Sequence, residues 1–213
     1  EFPEDGYQGE DIKDLAKEYA DLNGDSLVNV SAEERKKTLV DYALPKNIKK
    51  MQADMEKYKI YYDKWFFESE LHKSGAVKAV VDLLTKKGLT YEKEGAVWYK
   101  NKEVLTQKLL KEGKSQKYID NLELKDDVLI RQNGNPTYFT ADIAYHKNKF
   151  DRGFTTLIDV WGADHHGHVM RMKGAMDAIG YDGDKLNVVL MQLVKLVKDG
   201  ELVKMSKRTG KAI

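Results

Sequence analysis

VWGADHHGHVM, residues 160–170, places three histidines and an aspartate within five positions, and its flanks decide the fold. On the amino side, TTLIDVWGAD (155–164) is an apolar, β-rich run that ends at Gly162. On the carboxyl side, HVMRMKGAMDAIG (168–180) repeats its apolar residues at helical spacing and closes on Gly180. KLNVVLMQLVKLV (185–197) is then a second apolar run of strand type. Strand, helix and strand within so short a span read as a βαβ unit, and such units bind ligands beyond the carboxyl ends of their strands. GADHHGH (162–168) is therefore expected at a binding edge.

Working outward, 213 residues with 41% hydrophobic content can build a real core. A net charge of +1 excludes nucleic-acid binding through overall charge, so any such contact must be local. With no cysteine, disulfide scaffolds and thiolate metal sites are excluded. No apolar run approaches the roughly 20 residues of a membrane span, and the acidic EFPEDGYQGED start lacks the layout of a signal peptide. A cytoplasmic protein without membrane contact is expected. A chain that starts without methionine and stops at KRTGKAI is read as a fragment.

Upstream, residues 11–62 are helical in pattern, with Ser31 and Glu34 forming a capping box. Pro45 is expected to end or restart that helix, and Ile48, Met51, Gln52 and Met55 then make one apolar stripe. AVKAVVDLLTK (76–86) predicts a helix stopped by Gly88. LTYEKEGAVWYK (89–100) and DVLIRQNGNPTYFT (127–140) both predict hairpins, the second turning at Asn133 and Gly134. Between them, residues 101–125 form a lysine-rich helical insertion whose charge marks a solvated face. DLNGDSLVNVSA (21–32) imitates a calcium loop through Asp21, Asn23 and Asp25. It has Ser26 where glycine is needed and Ala32 where glutamate is needed, so it reads as a turn.

The sharpest chemical signal is KMSKR, Lys204 to Arg208. Two lysines three apart on a loop can reach two phosphate oxygens and follow the charge that develops as pyrophosphate leaves. Six basic side chains against two acidic ones lie between Lys195 and Lys211. After a βαβ unit, this motif resembles the second signature of class I aminoacyl-tRNA synthetases. PEDGYQGEDI, LIRQNGNPTYFTADIAYHKNKFDRGF, LIDVWGADHHGHVMRMKGAMDAIGYD and LVKLVKDGELVKMSKRTG, in that order, resemble arginyl-tRNA synthetase of the bacterial type. HHGH at His165–His168 fits the first class signature, His-x-Gly-His, by letter only, because it follows a late strand. The resemblance puts the true first signature ahead of residue 1, along with the amino-terminal tRNA-contacting domain, and puts the anticodon-reading domain after the last residue.

The resemblance implies an α/β fold: the C-terminal half of a class I Rossmann-type nucleotide-binding fold. Residues 1–130 would be a helical and hairpin connective region, 131–203 the second half of the catalytic domain, and 204–213 the start of the lysine loop. It implies ATP-dependent activation of arginine and transfer to tRNA(Arg), with Mg2+ accompanying ATP as substrate and no protein metal site. A monomer is expected, and the fragment alone is expected to be inactive.

Among the site residues, Lys204 and Lys207 are assigned to the leaving phosphates, with Met205 and Ser206 in the same ATP-binding loop. Gly162 allows close approach of a ligand, and Asp164 would accept hydrogen bonds from both ribose hydroxyls, the competing reading being a helix N-cap. His165 and His168 are pocket candidates for adenine or the amino acid, with His165 assigned to both ligands and His166 packing elsewhere. A zinc site from Asp164, His165 and His168 lacks a fourth ligand. Tyr138 and Asp142, four apart, share a helix face, and the resemblance makes them the ligands of the substrate guanidinium. Asp142 would give selectivity over lysine, since a carboxylate answers a planar guanidinium with two parallel bonds. Tyr145, His146 and Gln192 are weaker candidates.

Overall fold

A computed structural model describes residues 9–192 and 194–203. Residues Phe66–Leu193 form one compact unit, and the described residues before 66 and after 193 fall in another.

In the second of these, α1 (Glu10–Asn23) and α2 (Ala32–Lys57) pair through an edge-to-face contact of Tyr19 with Tyr42 and a 2.5 Å ion pair of Lys46 with Glu18. Ser31 caps α2 as expected, its hydroxyl accepting from the Glu34 amide at 3.1 Å. The helix then runs straight on through Pro45, against the expectation of a break. A proline removes one amide and crowds one turn, a local cost of about 3 kcal/mol that intact hydrogen bonds on either side of a long helix can absorb. Neither helix fully buries a residue; in the Ile48–Met55 stripe Met51 is exposed, while Ile48, Gln52 and Met55 are partly buried. A short antiparallel ribbon, β6 (Leu196–Lys198) and β7 (Glu201–Val203), also belongs here.

The compact unit holds the core. α3 (Glu68–Lys73) and α4 (Ala76–Lys86) lead into β1 (Thr90–Lys93) and β2 (Ala96–Tyr99), a hairpin turning on Glu94 and Gly95, both at positive φ. β3 (Asp127–Ile130) adds antiparallel to β2. The expected second hairpin is only half present. Its Asn133–Gly134 turn forms, but the returning arm makes one bridge, Ile130 to Pro136, and then becomes a helix. Thr137 is the reason: its hydroxyl caps α7 (Tyr138–Asp151) by accepting from the Thr140 amide, while donating to the Val128 carbonyl at 2.8 Å.

Between the sheet strands, α5 (Asn101–Lys111) and α6 (Gln116–Asp120) occupy the lysine-rich segment. The solvated-face expectation holds for most of its lysines. Leu105, Leu109, Ile119 and Asn101 are buried, however, and Lys108 turns inward onto Asp177 at 2.8 Å. The strand–helix–strand order forms as read: β4 (Leu157–Gly162), a 3-10 turn (Ala163–His165), α8 (His166–Ile179) and β5 (Leu186–Met191), the two strands parallel with Leu157 opposite Leu186. The second apolar run, read as one strand to Val197, stops at Met191, and Leu196–Lys198 join the separate ribbon. Gly180, at φ 102°, closes α8. One core joins these elements, built from Val80, Leu84, Tyr99, Leu129, Ile143, Met172, Met176 and Leu186. The expected boundary at residues 130 and 131 falls inside this unit.

Candidate functional site

The carboxyl end of β4 is where the candidates gather. Gly162 lies at its last position in extended backbone, and the chain turns at once through Ala163–His165 into α8. Asp164 and His165 are exposed, with 3.8 Å between His165 Nε2 and Asp164 Oδ2. Neither helical start takes a side-chain cap, so the N-cap reading of Asp164 is not what is seen. Its carboxylate is solvent-exposed, two residues past the carboxyl end of β4.

His168, on the first turn of α8, is turned inward. Its ring lies 5.3 Å from that of Trp161 and meets the edge of Phe139 at 5.5 Å. Its Nε2 lies 3.3 Å from Oδ2 of Asp142, on the second turn of α7. Two residues singled out separately in the sequence, 26 positions apart, thus meet across the β4 edge. His165 joins them through the Trp161 ring, 6.4 Å away. His166 faces a different groove, beside Met170 and Arg171. Tyr138 opens α7 and is 80% exposed, with the Arg131 guanidinium 6.0 Å from its ring. Gln192 is exposed just past β5. Lys204, Met205, Ser206 and Lys207 lie outside the described residues.

Asp142 also lines a cavity of about 270 Å³ with Glu68, Leu71, Ala141, Tyr145 and Phe66, the last stacked on Tyr145 at 4.5 Å. Glu68 gives this cavity a second carboxylate. Sequence reasoning misses it, because a glutamate on a short charged helix carries no local signal.

Behind the site lies a buried polar brace. His146, 3% exposed, sets Nδ1 2.7 Å from the carbonyl of Asp142 and Nε2 2.5 Å from Asp159 Oδ2, and Lys149 reaches Asp159 Oδ1 at 2.7 Å. Both ring nitrogens face oxygen acceptors, so both are placed to donate. Burial works against the Asp159 charge, but the hydrogen bonds from His146 and Lys149 outweigh it and hold this carboxyl below the usual range. His146 is therefore a brace between α7 and β4, not a pocket residue. On the other flank, Arg171 pairs with Asp127 through both Nε and an Nη and lies 4.8 Å over Phe139. Burial lifts the Asp127 carboxyl, with Arg171 pulling against it. Trp161, central to these contacts, sits in the opening stretch but has no assigned role there. A lone aromatic beside a glycine step is the signal that could have found it.

Among the described residues, no group of three or more His, Cys, Asp or Glu side chains converges as metal ligands. None of the described helices is long and apolar enough to cross a membrane.

A parallel strand pair bridged by a helix, with acidic and imidazole groups gathered at its carboxyl edge, defines a mixed α/β protein with a candidate ligand-binding edge. The particular kinship comes from comparison with known proteins. No family model matches the chain. Over its whole length it is 52% identical to the arginine–tRNA ligase of Ruminiclostridium cellulolyticum and 55% identical to that of Caldanaerobacter subterraneus, covering 35% of each. A solved structure assigned as an arginyl-tRNA synthetase, from Campylobacter jejuni, matches 96% of this chain and 41% of its own at 38% identity and a TM-score of 0.75. The arginyl-tRNA synthetase of Thermus thermophilus, at 17% identity and a TM-score of 0.58, matches 84% of this chain and 34% of its own, which speaks to the fold alone. The chain is homologous throughout to arginine–tRNA ligases and spans 35% of the length of these curated relatives.

Proposed function

We propose that these residues contribute part of the catalytic domain of an arginine–tRNA ligase, which activates arginine with ATP and transfers it to tRNA(Arg). The substrate carboxylate attacks the α-phosphorus, pyrophosphate leaves, and the arginyl group passes to the 3′ end of the tRNA. No protein nucleophile is needed, so the work is positioning and charge stabilisation.

In this reading residues 131–203 are the second half of a Rossmann-type nucleotide fold, 1–130 a connective region, and 204–213 the start of the lysine loop. The parallel β4–β5 pair supports it. Asp164 holds the ribose beside Gly162, and Lys204 and Lys207, with Met205 and Ser206, close on the leaving phosphates. Mg2+ arrives with ATP. Asp142 takes the guanidinium with Tyr138, four residues earlier on α7, and His165 and His168 complete the edge. The enzyme works as a monomer with tRNA as its macromolecular partner.

The observation that carries this reading is Asp142: a half-exposed carboxylate on the second turn of α7, within 3.3 Å of His168 and lining the 270 Å³ cavity. The test is D142N in the full-length ligase, followed by arginine-dependent pyrophosphate exchange. Hydrogen bonds to a charged group are worth about 1.5–3 kcal/mol, so the KM for arginine should rise by at least about tenfold with the KM for ATP unchanged. An unaltered KM for arginine overturns the assignment. The 213 residues alone should be silent in this assay, since they cover 35% of the relatives' length.

A further inference from the structure

We propose that His168 is a specificity-determining residue of the guanidinium site, its Nε2 accepting one guanidinium N–H beside the carboxylate of Asp142, so that arginine binds in competition with a proton on the ring. The inference rests on the reading of Asp142 given above and deepens it.

His168 Nε2 is shut off from solvent and has no hydrogen-bond partner among the described residues. The Asp142 oxygen is 3.3 Å away but off the direction of a hydrogen bond. A buried polar atom left unpaired costs about 1–3 kcal/mol, a cost that a ligand donor at this point removes. Trp161 and Phe139 wall the ring on two sides and fix its aim. With the ring proton on Nδ1, Oδ2 and Nε2 form a pair of neighbouring acceptors. A guanidinium presents a planar fork of N–H groups to such a pair, whereas an ammonium is a compact point charge, so the pair favours arginine over lysine.

The acceptor role requires a neutral ring. Once protonated, His168 carries a donor on Nε2, neutralises Asp142 and repels the substrate cation. The charged groups around it are Asp142 on α7, Asp127 on β3, Arg171 further along α8, and the Asp164–His165 pair on the 3-10 turn. Arg171 is already committed to Asp127, and Asp164 lies nearest His165. Asp142 is therefore the acidic group in direct reach of Nε2.

The experiment measures the KM for arginine and for ATP in pyrophosphate exchange by the full-length ligase, from about pH 5.5 to about pH 8.5, where imidazoles titrate. The proteins are wild type, H168Q, H168F and D142N. In the wild type, KM for arginine should rise on the acid side, approaching about tenfold per pH unit for one linked proton, with kcat and the KM for ATP much less affected. H168Q keeps a polar end but does not titrate, and should lose that acid-side rise. H168F has no acceptor and should show a raised KM for arginine at every pH. An acid-side rise that persists in H168Q, or an H168Q effect that falls on ATP instead of arginine, overturns the proposal. If H168F fails to fold, as thermal melting would show, H168Q alone decides. An effect of D142N on arginine without one from H168Q sinks this inference and leaves the reading of Asp142 standing, whereas no effect of D142N sinks both.

Discussion

Asp159 is a carboxylate on the buried side of an apolar strand, between Leu157 and Trp161, and its cost is offset locally. Its two oxygens meet His146 and Lys149, and His146 passes the contact on to the backbone of Asp142. D159N keeps the shape and removes the charge, leaving two buried donors facing a neutral amide, one of whose ends is itself a donor. A loss of about 2–3 kcal/mol of stability at neutral pH is expected. The sign with pH follows from the lowered pKa of this carboxyl in the folded protein. Its stabilisation is complete above the unfolded value of about 3.9 and is lost as pH falls through the lower, folded one. Urea unfolding should therefore show a gap between wild type and D159N that is present at about pH 5 and closes in stronger acid. A gap unchanged across that range would put the effect outside the ion network. This brace was not legible in the sequence. LIDV reads as one apolar run, and only the partners of Asp159, which lie 10 and 13 positions away on another element, show which way it faces. That Asp142 shares a helix with Tyr138 was legible, because their spacing is local in sequence, whereas its approach to His168, 26 positions away, was not.

Elements were read best where their signals are short-range. The Ser31 N-cap, the Gly88 and Gly180 stops and the strand–helix–strand order all depend on neighbours, and all form, although of the capping box only the Ser31 half is seen. The second hairpin fails because Thr137 has two possible uses, strand residue or helix cap, and the cap wins once β3 finds β2 as its ladder partner. Packing between elements is where single glycines matter. Gly183, in the 3-10 turn before β5, donates its amide to Asp177 at 2.7 Å, and a Cβ there would stand 2.3 Å from the Lys173 carbonyl oxygen of α8. That neighbour is helix backbone and cannot swing aside. G183A should cost about 2–3 kcal/mol through displacement of the turn from α8. Gly167, in the first turn of α8, has open space for at least 4 Å around the point where a methyl would sit and no positive φ, so G167A should be neutral or slightly stabilising. Equal melting temperatures for the two variants would show that the turn is free to move.

At the scale of the whole molecule, the β4–β5 pair has an uncovered side. Leu157, Asp159 and Leu186 face inward, while Ile158 at 69%, Val160 at 66%, Met191 at 54% and Val189 at 46% exposure point the other way. The parallel register sets Val160 beside Val189, so these side chains make one apolar strip. Parallel sheets bury both faces, and a strand that is apolar all round is the mark of a sheet meant to be covered twice. The chain spans 35% of its relatives' length, and in the reading proposed above the remainder of the ligase supplies the second layer. The double variant I158S/V160S tests this in two settings. In the 213-residue chain, it should reduce self-association and the binding of an apolar dye without lowering the unfolding midpoint. In the full-length ligase, where the strip is covered, removing two buried aliphatic side chains should cost at least about 3 kcal/mol. If the substitution is equally harmless in both, the strip faces water in the intact enzyme too, and the Rossmann-type reading of residues 131–203 loses its second layer.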